Sequence, residues 1–271
     1  LLPDWREDEN APIKTAVTDD HFLVLGPAGG IRLPNFLMPP LMSNHGNYIV
    51  SLGNVCRWLA TKAEALGVEI YPGFAAAEVL YGEKGEVIGV ATGDMGIAKD
   101  NSVKDGFTRG MELKAKYTLF AEGARGHLTK TLIKTRPMSR RTCEGGKRLS
   151  YGARAITEGG WQSVPKLTFP GGALIGCAAG FVNIARIKGS HNAILSGIQA
   201  ADQIVTALKE GRMNDELRDY EAGWRFSAIG RDLRKVRNVK PLWSKFGTWI
   251  GIGLGGLDMW TNDLFGFSLF G

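Results

Sequence analysis

The residues best spaced to meet a ligand lie in the stretch Phe169–Ala200. A short apolar strand over Ala173–Gly176 is expected to run into a small-residue turn, Cys177–Gly180, in which Gly176, Ala178 and Gly180 leave the backbone open to close approach. After a loop, Gly189, Ser190, His191 and Asn192 open a long helix. The free N–H groups of a helix start favour negative charge. Such a start suits the pyrimidine edge of a flavin ring, where negative charge develops on reduction, and Asn192 could donate a hydrogen bond to a ring carbonyl. The alternative is an ordinary helix start with Ser190 as its cap. His191 by itself reads as structural rather than catalytic.

Three other stretches carry weaker chemistry. Tyr117–Leu128 reads as an apolar strand ending in Glu122-Gly123, a form that can close a cofactor site but also serves as a solvated turn. His45-Gly46-Asn47-Tyr48 precedes a helix and reads as structural. In Val236–Phe270, basic residues (Arg237, Lys240, Lys245) stand among Trp243, Phe246, Trp249 and Ile250. Trp with Arg or Lys suits the headgroup level of a bilayer. The apolar run Phe246–Leu257 is far shorter than the roughly 20 residues a spanning helix needs. It therefore reads as an interfacial anchor, with a buried core segment as the alternative. Neither a Ser/His/Asp nor a Cys/His nucleophile arrangement stands out, so no catalytic residue is identified. No metal-spaced His/Cys cluster appears either.

These residues need elements to hold them. The sequence predicts a hairpin around Phe22–Arg32 and a helix over Asn54–Leu66, capped by Asn54 and stopped by Gly67. Strands follow over Val68–Tyr71, Ala76–Tyr81, Glu86–Thr92, Glu112–Lys116 and Tyr117–Ala121, with a polar loop over Asp94–Arg109. His127–Ile133 reads as one or two helical turns and Tyr151–Ile156 as β-like. Long helices are expected from Ser190 to Gly211 and over Asp215–Arg231. Strands alternating with helices predict an α/β fold with an added β meander.

Composition is that of a globular protein: 271 residues, 44% hydrophobic and 22% charged. The net charge of +6 gathers at Lys134–Arg148 and Arg225–Lys245. No nucleic-acid module accompanies it, which argues against a nucleic-acid partner. Cys56, Cys143 and Cys177 are odd in number and widely spaced, supporting neither a disulfide framework nor a metal site.

Taken together, LLPDW at the start, NHGNYIVSLGNVCRWLATKAEALGVEIYPGFAAAEVLY, GDMGIAKD, FAEGARGHLTK, IKGSHNAILSG and VRNVKPLW closely resemble the electron-transferring-flavoprotein:ubiquinone oxidoreductase family. The resemblance implies a glutathione-reductase-like FAD-binding fold with a β meander and an inserted quinone- and membrane-binding domain, incomplete in this chain. It implies FAD and a [4Fe–4S] cluster as cofactors, with electrons passing from reduced electron-transferring flavoprotein to ubiquinone at a membrane surface. Glu122, Gly123, Gly176, Ala178, Gly180, Gly189, Ser190, His191 and Asn192 would lie at the cofactor, and Trp243, Phe246, Trp249 and Ile250 on the membrane side. The protein would sit monotopically on an energy-transducing membrane, bacterial in preference to mitochondrial.

The resemblance divides the chain into residues 1–53 on the quinone side, 54–135 with the FAD-domain helix and meander, and a junction at 136–143. Residues 144–211 would return to the FAD domain, and 212–271 would form a helix and the membrane-surface segment. Three departures stand out. The family's opening βαβ unit, with its GxGxxG phosphate loop between strand and helix, is not found here, so this chain alone is expected not to hold FAD. The cysteine ligands of the cluster are missing too. A long segment of the family shrinks here to TRPMSRRTC. The competing readings are a geranylgeranyl-reductase-like or hydroxylase-like flavoprotein, and a non-catalytic membrane-surface remnant.

Overall fold

The computed structural model describes residues 2–26, 29–134 and 156–270. The 136–143 junction, Cys143 and most of the β-like Tyr151–Ile156 stretch lie outside these residues. The chain divides into two units, Leu1–Gly73 and Phe74–Gly271, each with mixed helix and strand.

In the first unit β1 (Thr15–Ala16), β2 (Phe22–Gly26), β3 (Gly29–Leu33) and β4 (Tyr48–Ile49) form two antiparallel pairs, β1 with β4 and β2 with β3. The second pair is the expected hairpin. Helix α1 (Leu52–Ala65) starts earlier than expected. The Ser51 carbonyl accepts from the N–H groups of Asn54 and Val55, so Ser51 holds the cap position and Asn54 lies inside the first turn. Trp58 is the buried residue of α1, and its Nε1 donates to Asp8 Oδ2 at 2.9 Å. Lys62 reaches the same oxygen at 2.6 Å. These hydrogen bonds, Lys62 first and then Trp58, lower the Asp8 carboxyl to about 2. Gly67, at φ 85°, ends the helical stretch, but Val68–Tyr71 does not become the expected strand. Its residues are exposed and no strand pairs with them among the described residues.

The second unit opens with the meander. β5 (Ala76–Tyr81) and β6 (Val87–Thr92) are antiparallel. The expected loop after them instead contains a ribbon of β7 (Met95–Ile97) and β8 (Val103–Thr108). Every residue of β8 is exposed and β7 is only three residues long, too little for a sequence pattern to register. β9 (Glu112–Lys114) then returns to pair with β6.

A second sheet carries the core. β10 (Thr118–Phe120) is followed by α2 (His127–Lys134), and later by β11 (Thr168–Phe169) and β12 (Gly172–Leu174). The order is β10-β12-β11, with β10 and β12 parallel and Phe120 opposite Leu174. The helices α3 (Ser190–Lys209), α4 (Arg218–Gly223), α5 (Ala228–Lys235) and α6 (Val239–Phe265) follow. Phe120, Phe169, Leu174, Phe181, Tyr220, Trp224 and Leu233 share one buried cluster, and Tyr220 Oη donates to the Leu174 carbonyl at 3.1 Å.

The single helix expected over Asp215–Arg231 is broken. Ser227 caps α5, its Oγ accepting from Ile229 N–H at 3.2 Å, and a side chain that caps one helix marks a break in a longer one. A Cβ on Gly230 would lie 2.1 Å from the Arg225 carbonyl oxygen, so the chain turns there within a glycine's clearance.

Candidate functional site at the ends of two parallel strands

Because β10 and β12 run parallel, their carboxyl ends open on the same edge, where α/β sheets collect ligands. The two strongest sequence motifs meet there. Ile175 N–H donates to the Phe120 carbonyl at 3.1 Å, which brings Gly176 beside the exit of β10 toward Glu122 and Gly123. Gly176, at φ 59°, gives its N–H to Ser196 Oγ of α3 at 2.9 Å. A Cβ there would lie 3.2 Å from Ala193 Cβ, so the turn packs directly on α3. Ala178 is buried, and Gly180 closes the turn in the left-handed region at φ 86°.

The edge is partly open. Gly123 has φ 77° and nothing within 4 Å of where a Cβ would stand. Glu122 turns the other way: its Oε2 accepts from Thr129 N–H at 2.7 Å and from Thr129 Oγ at 2.9 Å, capping the start of α2. Its carboxylate serves a helix start rather than solvent.

At the start of α3, Gly189 occupies the cap position and no side chain caps the helix. Ser190, the alternative cap, is the first helical residue and exposed. The hydrogen bond that Asn192 was expected to donate to a ring carbonyl is not open to it. The side chain is fully buried, and its Nδ2 donates both to the Phe181 carbonyl and to Asp232 Oδ2, each at 3.0 Å. Turning the amide over would set its oxygen against two acceptors, so the orientation is fixed. Asn192 ties the first turn of α3 inward.

Asp232, on α5, is the centre of this arrangement, and sequence reasoning missed it. Its Oδ1 lies 3.2 Å from Arg186 Nη1, and its Oδ2 lies 3.1 Å from His191 Nε2. Its backbone carbonyl accepts from Asn183 Nδ2 at 3.4 Å. Burial opposes the charge on Asp232, but the hydrogen bonds from His191, Asn183 and Asn192 outweigh it and hold the carboxyl well below the usual carboxylate range. Asn183 and Lys188 close the intervening loop through two backbone hydrogen bonds.

The aromatic segment forms a second candidate surface. α6 bends sharply at Gly247, where φ is 73°, and its two arms fold back on one another. A Cβ on Gly251 would lie 2.6 Å from Trp243 Cα, and one on Gly255 would lie 3.6 Å from Val239 Cα. Around the bend Trp243, Phe246, Trp249 and Ile250 are all exposed, Trp249 by 72%. At the base, buried Asp258 accepts from Asn238 Nδ2 at 3.1 Å and from Leu269 N–H at 2.8 Å. No helix among the described residues is long and apolar enough to cross a membrane.

No family model matches the chain. Curated proteins do. The electron transfer flavoprotein-ubiquinone oxidoreductase of Pseudomonas aeruginosa is 40% identical over 353 residues, which takes in 98% of this chain and 63% of that protein. The chain is a homologue of the electron transfer flavoprotein-ubiquinone oxidoreductases. The mitochondrial protein of Dictyostelium discoideum is 38% identical over 357 residues, covering 96% of this chain and 58% of its own length. The human mitochondrial protein is 38% identical over 333 residues, covering 89% and 54%. The chain thus spans between 54% and 63% of the length of these relatives. The matched spans also exceed the chain's own 271 residues, so the relatives carry internal sequence that it lacks.

Proposed function

We propose that this chain is part of a membrane-surface flavoenzyme that accepts electrons from reduced electron-transferring flavoprotein and passes them to ubiquinone. The observation that carries the reading is the 37–40% identity to proteins named for that reaction, over most of the chain. The geometry fits it. Two glycine turns at the carboxyl ends of parallel strands, an uncapped helix start and an open Gly123 suit the ring end of an FAD in a glutathione-reductase-like fold. Gly123, Gly176, Gly180, Gly189 and Ser190 would line that end, with Glu122, Ala178, His191 and Asn192 shaping it from behind. A bound flavin supplies the redox chemistry of such an enzyme.

The residues at hand fit the other cofactor requirements poorly. The sequence's GxGxxG match, Gly251-Gly253-Gly256, lies within α6 rather than in a strand-to-helix turn, so it does not form a pyrophosphate loop. Among the described residues no group of three His, Cys, Asp or Glu could hold a metal ion, so no step through an iron–sulfur cluster is derived.

The α6 bend supports attachment to a membrane surface. Exposed Trp243, Phe246, Trp249 and Ile250 would lie among the headgroups, with exposed Lys245 able to face anionic lipid. Relatives occur both in a bacterium and in mitochondria, so similarity does not choose between those membranes.

The test is steady-state reduction of a short-chain ubiquinone analogue by the native protein carrying this chain. Turnover that requires reduced electron-transferring flavoprotein is the expected result. Quinone reduction driven equally well by a nicotinamide nucleotide, with no dependence on that flavoprotein, would overturn the reading.

A further inference from the structure

Phe226 is 82% exposed, yet the chain beneath it is firmly held. It ends the short turn Trp224–Phe226 between α4 and α5, and Trp224, which opens that turn, is fully buried. The Trp224 carbonyl accepts from Ser227 N–H at 3.2 Å and from Ser227 Oγ at 2.7 Å. Arg231 Nη1 donates to the Phe226 carbonyl at 3.0 Å. The Arg225 guanidinium lies 4.6 Å from the centre of the Trp224 ring and 5.7 Å from that of Trp161. Such contacts fix an exposed side chain before any partner arrives, which lowers the ordering cost of binding.

The surroundings are basic and uncompensated. Arg225, Arg231 and Arg234 are exposed, and none of them makes an ion pair among the described residues. The carboxylate of Asp232 is already taken by Arg186 and His191, and Lys235 pairs with Asp263. An exposed aromatic side chain among arginines has the composition of a protein-binding hot spot, and the excess charge favours carboxylates opposite it. The turn also stands close to the candidate site. Trp224 packs on Phe181 with ring centroids 5.2 Å apart, and the Phe181 carbonyl accepts from Asn192 in the first turn of α3. Electron transfer weakens steeply with distance, so a donor protein must dock near the group it reduces.

We propose that the Arg225–Phe226 turn, with Arg231 and Arg234, is the docking surface for the protein electron donor, whose matching face carries carboxylates around an apolar recess for Phe226. The assignment rests on the flavoenzyme reading above and adds to it the surface the donor uses. A small charged patch with one apolar anchor suits the brief encounter of an electron-transfer pair, whose interfaces are small. It suits a bilayer less. One apolar group alone anchors weakly, and the exposed aromatic residues that fit a membrane stand around the α6 bend.

The test is the KM for reduced electron-transferring flavoprotein during quinone reduction by the native holoprotein and its variants. Phe226→Ser removes the anchor, and Arg234→Glu reverses a charge that has no ion-pair partner among the described residues. Together they are expected to raise KM by about tenfold or more, with kcat little changed. The native KM should rise with ionic strength, and that dependence should be shallower in Arg234→Glu. Reoxidation of the chemically reduced double variant by the quinone analogue should keep its native rate, which separates docking from damage to the site. Co-sedimentation with anionic vesicles should also be unchanged. An unchanged KM in the double variant overturns the proposal, as does a KM that falls on charge reversal. Loss of vesicle binding with KM unchanged overturns it too and assigns the patch to lipid. Each of these leaves the flavoenzyme reading standing, whereas a native protein that the reduced flavoprotein cannot drive overturns both.

Discussion

The fold-back of α6 makes a prediction whose sign depends on which of two opposed effects is larger. Replacing a helical glycine by alanine ordinarily stabilises a helix by about 0.5–1 kcal/mol. At Gly253 nothing stands within 4 Å of the new Cβ, so Gly253→Ala should show that gain. At Gly251 the new Cβ would lie 2.6 Å from Trp243 Cα and 3.0 Å from the Leu242 carbonyl oxygen. Carbon atoms pack at about 3.5–4.0 Å, so the arms must separate by about 1 Å. The obstacle is backbone, which cannot rotate aside as a side chain does. Overpacking of this kind costs about 1–3 kcal/mol, which exceeds the helix gain and leaves Gly251→Ala destabilised by roughly 0.5–2 kcal/mol. Thermal melting of the native protein in detergent should therefore move in opposite directions for the two variants. A Gly251→Ala protein stabilised as much as Gly253→Ala would refute the folded-back arrangement of the two arms.

Further outcomes follow from the same contacts. Trp249→Ser combined with Ile250→Ser should weaken co-sedimentation with anionic vesicles by about tenfold or more, since each apolar side chain is worth about 1.5–3 kcal/mol when buried; unchanged binding would remove the bend from the membrane. Because the folded carboxyl of Asp232 is held low, its stabilisation is fully present above the unfolded value of about 3.9 and is lost as pH falls through the folded value. Asp232→Asn should thus cost roughly 1–3 kcal/mol at pH 7 in denaturant melts, with the gap to the native protein closing below about pH 4; a gap that widens in acid would contradict the network. Glu122→Ala should cost about 0.5–2 kcal/mol by uncapping α2, seen as faster amide exchange at Thr129. The 271 residues expressed alone should carry no stoichiometric flavin by absorbance, since their GxGxxG match, Gly251-Gly253-Gly256, lies within α6 and not in a strand-to-helix turn; recovery of a yellow folded chain would refute that.

Several features were legible in the sequence because they rest on local pattern. The strand Ala76–Tyr81, the hairpin over Phe22–Arg32 and the helix from Ser190 coincide with β5, the β2–β3 pair and α3. Alternation, glycine turns and a helical period announce such elements without tertiary help. The β7–β8 ribbon did not announce itself, because β8 is exposed along its whole length and β7 is only three residues long. The break between α4 and α5 turned on Ser227, whose capping role depends on packing rather than on composition.

At the site, the motifs ending in Glu122-Gly123 and Gly176–Gly180 were visible one by one. Their meeting required the parallel pairing of β10 with β12, which no short stretch encodes. Asp232 was hidden for a related reason. It sits in a mostly basic run, Arg231 to Lys235, that looks like an ordinary solvated helix face, and its partners His191 and Arg186 are more than forty residues away. The reading of Asn192 erred through the same gap, since only the fold reveals that Phe181 and Asp232 already hold its amide.

The most direct measurement is the visible absorption spectrum of the native protein, recorded anaerobically before and after mixing with reduced electron-transferring flavoprotein. A flavin spectrum that bleaches on mixing and recovers when a ubiquinone analogue is added is the predicted result. A protein without flavin absorbance, or one whose flavin is left unchanged by that partner, would contradict the proposed function.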